Sequence, residues 1–266
     1  MNNDCVLIKL GGSILSEPNL IKKICNQLKL IKASGASIIL VHGGAKAVDK
    51  MLKIHNISST SHEGLRITTD EMIDIIEMVL CGHVNKMLIR ALNAAGLAAV
   101  GLSGSDDNLL QCELLSAMHG KVGKVKKVNA RILQYFLATQ KDDGKGIIPV
   151  VAPTGADVHG NALNVNADWS AVHIALALKI KKIIFLTDQN GIYDENKQII
   201  PALDKTDLEK MIQTQVIKDG MLVKANAIIY ALKHGINNIH IMNANMFETG
   251  TGTLCKQSRQ HHENFS

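Results

Sequence analysis

What this chain has little of already narrows its function. Aromatic residues are scarce: one Trp, three Tyr and four Phe, 3% of 266 residues. Bases stack on aromatic rings, so this is poor material for binding nucleic acid. The excess of 29 Lys+Arg over 24 Asp+Glu, a net +5, reads instead as compatible with an anionic small molecule. Cysteines are few and scattered, at positions 5, 25, 81, 112 and 255, with no C-x-x-C pair. That spacing disfavours a disulfide framework or a zinc cage and fits a reducing cytoplasm. No apolar run approaches the ~18–20 residues that span a bilayer, so no membrane association is expected. The opening MNNDCVLIKLGGS has neither a basic stretch nor a long apolar one, so a secretory signal is not expected.

Whole reaction classes are missing too. The Gly-Lys pairs at 120–121, 123–124 and 144–145 lack the rest of G-x-x-x-x-G-K-[ST], which excludes a P-loop NTPase. There is no H-E-x-x-H, no G-x-S-x-G and no H-R-D. Zinc-hydrolase, serine-elbow and protein-kinase chemistries therefore find no support.

What is present is alternation. Hydrophobic residues make up 46% and charged residues 20%, the balance of a globular protein. CVLIKL (5–10) reads as a buried strand, 19–33 as an amphipathic helix stopped by Gly35, SIILVH (37–42) as a second strand and 44–55 as a second helix. This β-α-β-α order predicts parallel strands with helices on both faces. Residues 56–67 read as a polar hairpin ending in GLRIT. Thr68 and Glu71 have capping-box spacing, which predicts a long helix over 69–95. LAAVGL (97–102) is a strand, 103–128 read as hairpins on a sheet edge, and a helix near 130–140 leads into the strand IIPVV (147–151). Asn166 opens a helix reaching Lys179, and KIIFLTD (182–188) is a strand. Helices near 206–215 and from Asp219–Gly220 to before Gly235 precede a last strand, NIHIM (238–242). The reading is an α/β protein with one central, mostly parallel sheet whose ligands sit at the strands' carboxyl ends.

Six stretches could carry chemistry. Lys9-Leu10-Gly11-Gly12 ends a strand in a turn whose N–H groups could hold phosphate oxygens, or it is a plain tight turn. Val41-His42-Gly43-Gly44-Ala45 repeats the pattern, with His42 read as a buried structural residue before a catalytic base. Arg66, just before a helix, suits two-pronged carboxylate recognition, or is a solvated surface residue. Asn164, Asn166 and Asp168 alternate into a helix start, where they bind polar groups and orient lysines, or simply cap. Asp188-Gln189-Asn190-Gly191 is a loop at a strand end, a nucleotide contact or a bland turn. Lys224 lies in an apolar helical turn, an awkward place for an unpartnered charge unless it snorkels. Together they read as a phosphate site without a metal cage.

In order and spacing, KLGGS (9–13), VHGGA (41–45), GLRIT (64–68), NVNAD (164–168), LTDQNGIY (186–193) and DGMLVKANA (219–227) resemble the amino-acid kinase family over nearly the whole chain. GLRITTDEMIDIIEMVLCGHVNK (64–86) most resembles the branch that uses ATP to phosphorylate the side-chain carboxylate of N-acetyl-L-glutamate in arginine biosynthesis. The resemblance implies an open three-layer αβα sandwich. Residues 1–180 would bind acetylglutamate and dimerise, and 181–266 would bind ATP. Lys9 and Lys224 would stabilise the transferring phosphoryl group, with Asp168 orienting them. Gly44, Ala45, Arg66 and Asn164 would hold the acetylated amino acid. Gly11 and Gly12, then Asp188, Gln189, Asn190, Gly191, Ile192 and Tyr193, then Val216, Ile217 and Lys218, would meet the nucleotide. Mg²⁺ would be carried by the ATP phosphates, with no metal ligand from the chain.

The resemblance further implies a cytoplasmic homodimer of the shorter type, formed through helix 69–95 and its apolar stripe Met72, Ile75, Ile76, Val79 and Leu80. Two departures stand out: Ala45-Lys46 replaces the family's usual Gly-Pro, and 243–252 is short. Two other activities remain in view, a relative acting on another acylated or carrier-linked acidic amino acid, and a ligand sensor without turnover.

Overall fold

The computed structural model describes residues 5–142 and 146–257. The N-terminal residues 1–4, part of the reading against a leader, lie outside them, as do 143–145 and 258–266 of the two expected lobes.

The chain opens as predicted, with β1 (Cys5–Leu10), α1 (Pro18–Ala33), β2 (Ser37–His42) and α2 (Ala45–Ile54). A two-strand hairpin follows, β3 (Ser61–His62) and β4 (Leu65–Arg66), with Ser61 opposite Arg66. The long helix is continuous but not uniform. α3 (Asp70–Glu77) and α4 (Asn85–Ala94) are joined by a π-helical turn over Met78–Val84. Then come β5 (Ala99–Ser103), β6 (Leu110–Leu114), β7 (Val122–Val128), α5 (Arg131–Asp142), β8 (Ile148–Ala152), β9 (Thr154–Ala156) and β10 (Ala162–Val165). The last part contains α6 (Ala167–Ala177), β11 (Lys182–Thr187), β12 (Ala202–Leu203), α7 (Lys205–Gln213), α8 (Asp219–Lys233), β13 (Asn238–Asn243) and β14 (Thr253–Cys255).

The eight-stranded main sheet runs β12-β14-β13-β11-β1-β2-β8-β5 and is parallel except where β14 turns back on β13. Alternate strand residues enter separate cores. Leu7, Ile39, Val41, Ile183 and Phe185 face one way, with residues of α6 and α8. Val6, Ile8, Ile38, Leu40 and Ile184 face the other, with residues of α1, α2, α3 and α4. Covering on both faces is why these strands read as unbroken apolar runs, and it makes the three-layer sandwich. β1 lies mid-sheet, between β2 and β11, so its carboxyl end opens where earlier and later halves of the chain meet.

Three readings are corrected. The 103–128 hairpins do not lie on an edge of the main sheet, whose edges are β12 and β5; β6 and β7 close with β9 and β10 into a small separate barrel. Thr68 does not cap: the helix begins after Thr69 with no side-chain cap. Instead its buried hydroxyl donates to the Arg66 carbonyl at 3.3 Å and accepts from the Asn164 amide at 2.9 Å. The stripe expected to form the dimer contact is not at the surface, since Met72, Ile75, Ile76, Val79 and Leu80 are all buried in the chain's own core. The short 243–252 segment still folds, as a 3₁₀ turn (Ala244–Met246) leading into β14.

Candidate active site

At the carboxyl ends of β1 and β2 the two glycine pairs touch. Their ladder continues into the turns: Gly11 N–H donates to Leu186 O at 2.9 Å and Gly43 N–H to Leu10 O at 2.8 Å. A Cβ on Gly12 would lie 2.9 Å from the Gly44 nitrogen, which is backbone and cannot step aside. A Cβ on Gly43 would likewise lie 3.0 Å from the Gly12 nitrogen, so Gly12 and Gly43 are the residues that must be bare for the turns to meet, while Gly44 makes room for Leu80. Gly44 opens α2 without a side-chain cap. The N–H groups of Gly12, Gly44 and Ala45 donate no hydrogen bond among the described residues. Orphan donors at a helix N-terminus form an anion cradle. Ala45, where the family has Gly, is simply the first helical residue, so the departure leaves the turn intact.

Beside the cradle lies a charged triad. Lys9 Nζ is 2.8 Å from Asp168 Oδ1, and Lys224 Nζ is 2.9 Å from both Asp168 oxygens. All three residues are buried. Lys9 comes from the centre of the sheet, Asp168 from the first turn of α6 and Lys224 from the second turn of α8. Asn166 caps α6, its Oδ1 accepting from the Asp168 and Trp169 nitrogens at 2.9 and 3.2 Å. Capping and lysine pairing, read from the sequence as alternatives, therefore operate together. Lys224 Nζ also lies 4.9 Å from the centre of the Phe185 ring, a favourable face for a cation. Burial pushes the Asp168 carboxyl up, but Lys224 and Lys9 overcome it and hold it well below the usual range. Burial pulls Lys224 down to about 8, against Asp168 and reinforced by Lys9. The triad thus carries one net positive charge.

His42 is structural, as read. Its Nδ1 donates to the Gly43 carbonyl at 2.8 Å, leaving Nε2 to accept from Asn85 at 3.1 Å. The same amide donates to Val150 O at 3.0 Å. Burial, against the Gly43 hydrogen bond, pulls His42 down to about 4, so it stays neutral.

A cavity of about 440 Å³ opens above the glycines and is lined by Lys9, Gly12, Gly44, Ala45, Arg66 and Asn164, all singled out by sequence. Its apolar wall includes Ile76, Leu80 and Val122. Arg66 pairs with Asp49 Oδ1 at 2.6 Å and donates to Ser59 Oγ. Sequence reasoning passed over Asp49 and the run Ser59-Thr60-Ser61, which also line the cavity. Three hydroxyl residues just before Gly64-Leu65-Arg66 were the available signal.

Of the residues read as nucleotide contacts, only Gly12 lines this cavity. Asp188 lines a separate cavity of about 210 Å³ with Ser13, Thr187 and Asn243. Gln189 and Lys218 are exposed; Asn190, Tyr193 and Val216 are half-buried. Gly191, Ile192 and Ile217 belong to the interior. Ile192 has both backbone groups engaged, donating to Thr253 Oγ1 and accepting from Ile200. Gly11 is buried against Leu186 and Thr187 and does not line the larger cavity.

The chain is similar to known proteins over nearly its whole length. The amino acid kinase family matches residues 4–243. An acetylglutamate kinase of Campylobacter curvus is 34% identical over 264 residues, 96% of this chain and 92% of that protein. The acetylglutamate kinase of Campylobacter hominis is 37% identical over 261 residues, covering 94% and 90%. Among solved structures, smu.665 from Streptococcus mutans UA159 superposes with a TM-score of 0.85 at 26% identity, covering 96% of this chain and 99% of that one. No helix among the described residues is long and apolar enough to cross a membrane.

Proposed function

The chain belongs to the amino acid kinase family, and from that premise we infer that it transfers the terminal phosphoryl group of ATP to the side-chain carboxylate of N-acetyl-L-glutamate, giving N-acetylglutamyl phosphate and ADP in arginine biosynthesis. The observation that carries the reading is the pair of buried ammonium groups on one carboxylate, beside a cradle of free N–H groups.

The acceptor is already an anion at neutral pH, so no general base is required. Catalysis then rests on alignment and on stabilising charge that spreads over the moving phosphoryl oxygens. Lys9 and Lys224 supply two fixed positive charges for those oxygens, and Asp168 holds them so close together. Gly12 offers its N–H to the phosphoryl group, and Gly44 and Ala45 offer theirs to the reacting carboxylate. Arg66 takes the carboxylate that does not react, and Asn164 the acetamido group.

The nucleotide lies on the 181–266 lobe, with Gly11 and Gly12 at its phosphates. Asp188 to Tyr193 and Val216 to Lys218 border it, the buried members shaping the site through the backbone. Mg²⁺ would be carried by the ATP phosphates and would add charge neutralisation there.

The protein works in the cytoplasm as a homodimer joined through 69–95. The stripe named from sequence is covered, so the contact uses the outer face, where Met78 is 60% exposed. Light scattering that returned a monomer at micromolar concentration would remove the dimer. A coupled ADP-release assay with N-acetylglutamate, glutamate, aspartate and uridylate tests the activity. Turnover with N-acetylglutamate alone is expected, and preference for any other acceptor would overturn the substrate.

A further inference from the structure

Arg66 is not loose in the cavity. Its Nη1 lies 2.6 Å from Asp49 Oδ1 and also donates to Ser59 Oγ. The guanidinium has five N–H donors in a rigid plane. Those on Nε and Nη2 donate to nothing among the described residues, although the side chain is only 15% exposed and lines the cavity. One prong is thus tied back, and the edge that matches a carboxylate side-on is left free. Asp49 reaches Arg66 from the second turn of α2, whose N-terminus forms part of the anion cradle. A single helix therefore offers N–H groups to the cavity from its N-terminus and fixes the arginine from its second turn.

We propose that Asp49, with Ser59, is the positioning device of the acceptor site. It holds Arg66 in its binding rotamer before substrate arrives and stays paired with it when substrate is bound. This rests on the acceptor reading of the cavity. The rival role for Asp49 is a placeholder that substrate must expel. The two differ in sign: a positioning carboxylate lowers the acceptor KM, and a placeholder raises it. Geometry favours positioning, because Asp49 and Ser59 both occupy Nη1 and neither blocks the free edge.

The test has two arms. The first needs no substrate. The Arg66 Nε–Hε resonance, assigned by its loss in Arg66→Lys, is followed by heteronuclear NOE. It is rigid in the wild-type protein and becomes mobile in Asp49→Asn. The second is kinetic. Asp49→Asn raises the N-acetylglutamate KM about two- to tenfold, the cost of ordering one long side chain on binding, while kcat and the ATP KM hold. Asp49→Glu recovers part of the loss. In an Arg66→Ala background, Asp49→Asn adds nothing, since it acts only through that side chain.

A rigid Arg66 in Asp49→Asn, a lowered or unchanged KM, or an additive effect in the double variant would each overturn the proposal. A wild-type protein without turnover on N-acetylglutamate sinks the acceptor reading instead, and the resonance arm still decides what Asp49 does to Arg66.

Discussion

Lys224→Met removes one buried positive charge and keeps a side chain of similar length. The structure assigns that charge a cost. Burial, only partly offset by Asp168 and worsened by Lys9, pulls the ammonium from 10.5 to about 8, a gap of about 3 kcal/mol against the charged form. With Met in its place the site keeps Lys9 and Asp168, a neutral pair at 2.8 Å. The variant should therefore unfold no more easily than wild type and gain about 1–3 kcal/mol, as when buried charges give way to apolar groups. Activity should move the other way. Losing one fixed electrostatic stabiliser lowers kcat by about 10²–10³, or ~2.7–4 kcal/mol. The stability gain also has a pH signature. Above about 8 the folded protein gives up this proton while the unfolded chain holds it to 10.5, so wild-type stability rises across that window. The gap between wild type and variant should close there. Urea unfolding from pH 7 to 10.5, with steady-state kinetics at pH 7, measures both halves. Asp168→Asn is the counter-control, stranding two buried ammonium groups and costing about 3–5 kcal/mol. A Lys224→Met variant that lost stability, or kept near-normal kcat, would refute the reasoning.

Other consequences are open to the same assays. Arg66→Ala should raise the N-acetylglutamate KM about tenfold or more, the scale of a charge-assisted hydrogen bond. Arg66→Lys should recover only part, because an ammonium lacks the planar fork; a change confined to the ATP KM would contradict the assignment. Gly12→Ala drives a methyl onto the Gly44 nitrogen, so it should cost about 1–3 kcal/mol in unfolding experiments and reduce kcat. With Lys224 at about 8 in the free protein, kcat/KM should fall as pH rises through that value, because the ammonium is the active form. A flat profile from pH 7 to 9.5 would speak against it.

The main sheet was legible because its strands are buried on both faces and so read as continuous apolar runs, CVLIKL and SIILVH above all. The small barrel was not, because β9 and β10 are only three and four residues long and carry no such run. Thr68 shows a different limit. Its spacing to Glu71 suits a capping box, but a tertiary bond to Asn164 takes its hydroxyl. The stripe at Met72 to Leu80 has helical period, and period alone cannot say whether the face meets the chain's own sheet or a partner. At the site, two glycine turns and Arg66 could be located from local pattern. The members of the triad were each singled out, but only the family resemblance joined them, because residues 9, 168 and 224 meet through the topology. Ile192 and Ile217 shared a motif with their neighbours but point into the core, a difference that a motif does not encode.

The placing of β1 has a consequence for how the protein is made. One of its neighbours, β2, leaves the ribosome almost at once, but the other, β11, begins only at Lys182. The strand bearing Lys9 therefore waits until β11 has been made for its second edge to be covered. Asp168 emerges before that edge and Lys224 after it. A nascent chain that has reached α6 can pair Lys9 with Asp168 and close a neutral contact. The second cation, the one the interior resists, is delivered only with α8, after β11 but before β13 and β14 complete the sheet. Long-range strand pairing of this kind is slow. It also means that no product ending before α8 carries the pair of ammonium groups, so the charged triad comes into being only once that helix has been made.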